Sequence, residues 1–225
     1  MSTIVEPRAD ADINYPESDG QPVAENTLQF QWITMIEGGL EALFVNDPNV
    51  FVAGDLLWYP VEGDPTISAA PDAMVVFGRP KGFRGSYLQW RENNIAPQVV
   101  FEVISPGNRP QELLHKNHFY QQYGVEEYYA YNPHNGELSG WHRVEGGWEV
   151  IPRLAGWTSP RLGVRFEFEN GELAIYRPDG RRFTTFAETT RQLQVAEDEA
   201  KDAKERARRL AAQLRALGVE PELEP

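Results

Sequence analysis

The chain has 225 residues, a formal charge of −13 and no cysteine. That length allows one substantial core with appendages, and the missing thiols exclude disulfides, thiolate zinc sites and cysteine nucleophiles. The acidity argues against a protein held to nucleic acid by a basic field. No apolar stretch approaches the roughly 20 residues that a membrane span needs, and no signal-like leader opens the chain, so a soluble cytoplasmic protein is the expectation.

Residues 1–24 are polar and acidic, with Pro7, Pro16 and Pro22, and read as a disordered arm. Over residues 25–44, Leu28, Trp32, Met35, Ile36, Leu40 and Leu43 recur at helical spacing, with Gly38-Gly39 as a candidate break. Residues 50–53 and 56–59 read as a hairpin around Gly54-Asp55. Residues 74–77 form a short apolar strand. The loop after it carries Arg79, Lys81, Arg84 and Arg91, either a patch for a nucleic-acid backbone or a solvated loop. Residues 98–104 are the strongest strand, ended by Ser105-Pro106-Gly107-Asn108. The helix over residues 110–123 places Leu113, Lys116, Tyr120 and Tyr123 on one face.

Short strands follow at 128–131, 138–141, 148–151, 164–168 and 173–176, the last two joined by the hairpin dipeptide Asn170-Gly171. Residues 25–186 therefore read as an α+β, α/β-like domain with a mixed sheet flanked by helices. From 187 to 218, Leu193, Ala196, Ala200, Ala203, Ala207, Leu210, Leu214 and Leu217 alternate spacings of three and four. This is the a/d seam of a coiled-coil helix. It pairs two copies into a homodimer through residues 187–217, or packs one amphipathic helix on its own domain. Residues 219–225 are an acidic tail.

Two carboxylates stand out in this pattern. Asp72 opens one apolar run, Pro71-Asp72-Ala73-Met74-Val75-Val76, and Glu102 sits inside another, Gln98-Val99-Val100-Phe101-Glu102-Val103-Ile104. Burying an isolated charge costs several kcal/mol or more, so a cation, a metal or a proton must offset it. Lys116 on the following helix is one such partner, and a structural salt bridge between strand and helix is one reading.

The other reading is a hard-metal phosphodiester site. Two carboxylates held close repel unless one is protonated or a cation lies between them. Mg²⁺, with Mn²⁺ as a substitute, takes oxygen ligands and keeps several waters. Asp72, Glu102 and the backbone carbonyl of Val103 would supply those ligands. Such an ion lowers the pKa of a water and polarises a phosphoryl oxygen. Lys116 would stabilise the developing charge or position the attacking water. Tyr120, one turn on, would hydrogen-bond Lys116 or a phosphate, or simply pack. Of the four histidines, His115, His118, His134 and His142, the first two are three apart on a helix and either share a metal or sit on the helix surface; with no zinc spacing in the chain, the surface is the reading.

The ordered string Pro71-Asp72, Glu102-Val103-Ile104-Ser105-Pro106, Lys116 with Tyr120, and Tyr123-Gly124-Val125-Glu126-Glu127-Tyr128-Tyr129 resembles the Uma-two family of the PD-(D/E)XK restriction-endonuclease-like superfamily. The resemblance covers about residues 25–186 and extends to Val52-Ala53-Gly54-Asp55 and Ser159-Pro160-Arg161-Leu162-Gly163. It implies a restriction-endonuclease-like core and a Mg²⁺-dependent DNA endonuclease, with Asp72 and Glu102 as the metal-binding acids. The superfamily pattern wants lysine two residues after the glutamate. Ile104 stands there, and the resemblance points to Lys116 instead. It also implies an acid from the first helix, Glu37 or Glu41. Asn132 occupies a position where relatives commonly carry aspartate. The implied partner is DNA, weakly bound by so acidic a chain. Two competing readings are a catalytically silent, dimeric module of the same fold and a two-carboxylate glycoside hydrolase, for which no sugar platform is visible.

Overall fold

The computed structural model describes residues 13–218; the first 12 residues of the expected arm and the acidic tail at 219–225 lie outside them. The chain divides into two units, residues 1–183 and 184–225.

In the first unit, helix α1 (Thr27–Leu43) starts on Asn26, whose side chain accepts the Gln29 N–H and so satisfies one of the first-turn donors. It buries Trp32, Ile33, Ile36 and Leu40. The expected break at Gly38-Gly39 does not occur. Gly39 lies against the Phe183 ring, where any Cβ would collide, so the glycine serves close packing. Burial of one face sustains the helix through the pair.

Ten strands follow: β1 (Val50–Ala53), β2 (Trp58–Tyr59), β3 (Ala73–Phe77), β4 (Tyr87–Leu88), β5 (Val99–Val103), β6 (Glu127–Asn132), β7 (Glu137–Val144), β8 (Gly147–Val150), β9 (Arg165–Glu169) and β10 (Glu172–Tyr176). Six of them form one sheet in the order β1-β3-β5-β6-β7-β8. β5 and β6 are parallel and every other neighbour is antiparallel, so the sheet is mixed. Parallel neighbours need a crossover, and helix α2 (Pro110–Gln122) supplies it. The fold is α+β.

The hairpin expected over residues 50–59 is absent. β1 pairs antiparallel with β3, and β2 pairs parallel with β4. Between β1 and β2 the chain turns at Asp55, which has φ +49° and donates its N–H to the Pro71 carbonyl. That bond ties the turn to the entry of β3. The β9–β10 hairpin forms as expected, with Asn170 and Gly171 both at positive φ.

Side-chain alternation along the central strands creates two cores. Val99, Phe101 and Val103 pack on the α1 side with Phe166, Leu173 and Ile175. Met74, Val76 and Val100 face the other way, onto Phe119 and Tyr120 of α2.

Residues 13–24 do not project as a free arm. The Tyr15 ring lies 5.3 Å from Tyr59 and 4.9 Å from Trp90, and its hydroxyl accepts the Gly63 N–H at 2.6 Å. Tyr59 donates its hydroxyl to the Pro16 carbonyl at 2.9 Å.

The second unit is helix α3 (Phe186–Ala216), 31 residues opened by a capping box between Thr185 and Glu188. Its seam residues Leu193, Leu210, Leu214 and Leu217 are exposed. Among the described residues no helix is long and apolar enough to cross a membrane.

Candidate functional site

The antiparallel register of β3 and β5 sets Ala73 opposite Phe101. One step further, the same register sets Asp72 opposite Glu102. Period-two alternation then turns both carboxylates toward the α2 side, the side of Met74 and Val100. Asp72 Oδ2 accepts the Val103 N–H at 2.6 Å, which takes that amide out of the sheet ladder and pins the carboxyl at the strand end.

Helix α2 brings two further groups to Glu102. Lys116 Nζ lies 2.6 Å from Glu102 Oε2, and the Tyr120 hydroxyl, one turn along, donates to Glu102 Oε1 at 2.5 Å. Tyr120 therefore packs, as one of its two expected roles has it, and its hydroxyl goes to Glu102 in place of Lys116 or a phosphate. Its ring is fully buried and stacked with Trp58, so it is closed to an entering ligand. The lysine side chain keeps one-third of its surface exposed (33 %), while that of Glu102 keeps 5 %. Ile104 packs partly buried against the α2-side core. The amine beside the glutamate comes from α2.

Burial drives the Asp72 pKa up to about 8; the Glu102 charge adds to this and Asp55 adds a little, against the opposing pull of Lys116 and the Val103 N–H. Burial works against a charged Lys116, but Glu102, Asp72, the Glu102 hydrogen bond and Asp55 outweigh it and raise its pKa. Burial and Glu102 both push the Tyr120 hydroxyl well above its ordinary value. At neutral pH the centre thus holds a proton on Asp72 and a charge on Lys116.

The other proposed ligands are placed unequally. The Val103 carbonyl accepts from Gln29 Nε2 at 2.8 Å, a bond that links α1 to the end of β5. Of the first-helix acids, Glu41 pairs with Lys81 at 2.9 Å. Glu37 packs its stem where a Cβ on Gly54 would come within 3.2 Å, and burial followed by the Glu41 charge raises its pKa. Neither acid is among the groups lining the cleft beside Asp72 and Glu102. In the basic loop, Arg79 and Arg84 both pair with Glu92, at 2.6 and 2.7 Å. With Lys81 held by Glu41, three of its four cations are paired within the protein, against two carboxylates. Asn132 accepts the His134 N–H and shapes a turn, a role an aspartate would fill equally.

The residue that sequence reasoning missed is Asp55. It lines the cleft with Asp72, Glu102 and Lys116. Its pKa is raised by burial, then by the charges of Asp19 and Glu102, with Lys116 opposing. The signal is present in the string Val52-Ala53-Gly54-Asp55, which belongs to the sequence resemblance but by local pattern is a turn. The cleft has a volume of about 280 Å³, and one wall is the acidic segment from Asp19 to Glu25. Glu25 is anchored there by a hydrogen bond from Ser105 Oγ.

Two further strings of the sequence resemblance clasp each other elsewhere. The buried Glu127 accepts from Ser159 Oγ, the Tyr129 hydroxyl and the Arg161 N–H, while Glu126 binds the Arg161 guanidinium through both oxygens at 2.5 Å. These contacts fasten the 159–163 loop to β6 and are structural.

Among the described residues no group of three or more His, Cys, Asp or Glu side chains is arranged to hold a metal ion. Mg²⁺ does not need such a cage, because it binds through one or two carboxylates and retains waters. The donor set fits it. The oxygens are hard, the two carboxylates are close enough for one to raise the other's pKa, and they open onto a cleft.

A family model described as "Uma2: Putative restriction endonuclease" matches residues 10–169. The crystal structure of "a putative nuclease belonging to DUF820" from Anabaena variabilis is similar over 60% of this chain and 72% of that chain, at 12% identity and a TM-score of 0.45. No curated protein matches.

Proposed function

This chain belongs to the Uma2 family, and on that premise we propose that it is a divalent-metal-dependent endonuclease that hydrolyses DNA phosphodiester bonds. Mg²⁺ is the ion of choice and Mn²⁺ a substitute. Asp72 and Glu102 would hold it, joined by the Val103 carbonyl, since a carbonyl oxygen has a second acceptor direction beside the one Gln29 uses. When bound, the ion supplies Lewis-acid polarisation of a phosphoryl oxygen and a water of lowered pKa.

The chain's own groups do the rest. Tyr120 and Lys116 each grip one oxygen of Glu102 and fix the orientation of its carboxylate. Asp72 gives up its proton when a cation replaces the repulsion from Glu102. Lys116 stays protonated and its exposed third faces the cleft, where it offsets negative charge growing on the phosphate. The observation that carries this reading is the meeting of Asp72, Glu102 and Lys116, drawn from three separate segments, at one cleft. We further propose a soluble, cytoplasmic homodimer paired through the α3 seam.

Supercoiled DNA incubated with the protein tests the activity. Nicking or linearisation is expected in Mg²⁺ and Mn²⁺ and should vanish in chelator and in Asp72→Ala. Undiminished cleavage in both Asp72→Ala and Glu102→Ala would contradict it. The silent-module reading has one observation in its favour: both oxygens of Glu102 are already engaged within the protein. Calorimetry that detects no Mg²⁺ or Mn²⁺ binding would select it.

A further inference from the structure

A second cleft, of about 440 Å³, adjoins the one described above and shares Asp19, Ala70 and Lys116 with it. Its size lies within the range of roughly 300–1,000 Å³ typical of small-molecule sites. The floor is apolar, formed by Leu57, Ala69 and Phe119. The rest of the lining is polar: Ser68, Gln111 and His115 offer hydrogen bonds, and Lys116 stands with two acids, Asp19 and Glu112. The helical repeat explains why Lys116 borders both clefts. His115, Lys116 and Phe119 fall on one face of α2, so the residue that reaches Glu102 also stands at the mouth of the apolar floor.

We infer that this cleft is a subsite for one unpaired nucleobase next to the phosphate being cleaved, which makes single-stranded DNA the preferred substrate class over intact duplex. The inference rests on the phosphodiester reading of the Lys116 end. Three observations lead to it. The cleft adjoins that end and shares Lys116 with it, so a nucleotide whose phosphate reached Lys116 would have its base near the apolar floor. The floor and rim match a base, whose flat face is apolar and whose edge carries donors and acceptors for Gln111 and His115. The chain is also poor in the usual alternative source of affinity: its formal charge is −13, and Arg79, Arg84 and Lys81 are paired with Glu92 and Glu41. A protein that cannot hold DNA by backbone charge must gain affinity from bases. A paired base stays in its stack and must be extruded at a cost, whereas an unpaired one enters freely.

The test is binding, measured on the full chain in Ca²⁺. The probe is a 12-nucleotide DNA strand carrying 2-aminopurine, used alone and annealed to its complement. Fluorescence anisotropy should show the single strand binding about tenfold or more tightly than the duplex, the effect of burying about one base. The 2-aminopurine emission should change on binding. Ser68→Phe, which fills the cleft, should cost the single strand about tenfold and remove the emission change, with the melting temperature as a check on folding. His115→Ala, at an exposed rim position, provides a second variant and should weaken the single strand several-fold. Equal affinity for the two forms, or single-strand affinity unchanged in both variants, overturns the subsite. No binding of either form overturns it together with the nuclease reading. Single-strand binding as expected, without chelator-sensitive cleavage, sustains the subsite and removes only the nuclease reading.

Discussion

Replacing Asp72 by asparagine isolates the electrostatic tension of the centre. In the metal-free protein, burial and then the Glu102 charge raise the Asp72 pKa from 3.8 to about 8. A group whose folded pKa exceeds its unfolded value contributes stability that is fully present below the unfolded value and is lost as pH rises through the folded one. The window here runs from about pH 4 to about pH 8. At pH 7 the unfolded chain has released this proton and the folded chain still holds it. That gap spans about 3 pH units, or about 4 kcal/mol at about 1.4 kcal/mol per unit. Asparagine keeps the shape and an acceptor for the Val103 N–H, and it never ionises. In chelator, Asp72→Asn should therefore match the wild type near pH 4 and exceed it by up to about 4 kcal/mol at pH 7. Urea denaturation across that window, compared at a common slope, measures the difference. A gap that stays constant from pH 4 to pH 8, or a variant less stable at pH 7, would show that Asp72 does not carry a raised pKa in the folded protein.

Lys116→Met should destabilise the protein by about 3 kcal/mol by leaving the buried Glu102 carboxylate without its cation, the low end of such costs because the lysine is partly exposed. Adding Glu102→Gln should recover most of that stability in urea titrations while cleavage stays absent. Gly39→Ala should lower stability by about 1–3 kcal/mol through collision with Phe183, read as a drop in melting temperature. Leu214→Glu on the exposed seam of α3 should convert a dimer to a monomer in sedimentation equilibrium; an unchanged mass would remove the seam as the pairing surface.

Much of the centre could be read from the chain because its signals are local. Glu102 announced itself as a carboxylate in an unbroken apolar strand. Lys116 and Tyr120 sit at an i, i+4 interval on a helix, and both reach Glu102. The mixed sheet followed from strands separated by one helix. What escaped depended on distant partners. Residues 50–59 carry two strand patterns and a turn, which is all that a hairpin needs locally, but the partners of β1 and β2 arrive more than 20 residues later in β3 and β4. Asp55 looked like a turn residue because its bond to Pro71 and its nearness to Asp72 arise only in the folded chain. Glu41 looked available until Lys81, 40 residues away, took it. Residues 13–24 are polar enough to suggest disorder, yet Tyr15 docks between Tyr59 and Trp90 and carries the following acids to the cleft.

Whether Asp72 and Glu102 share one divalent ion is read by Mn²⁺ calorimetry at pH 7 in two buffers of different ionisation enthalpy. Because Asp72 holds its proton in the metal-free protein, binding should release close to one proton per ion, and Asp72→Asn should abolish that release. Binding with no proton release, or binding unaltered by Asp72→Asn and Glu102→Gln alike, would mean that the two carboxylates do not hold the ion together.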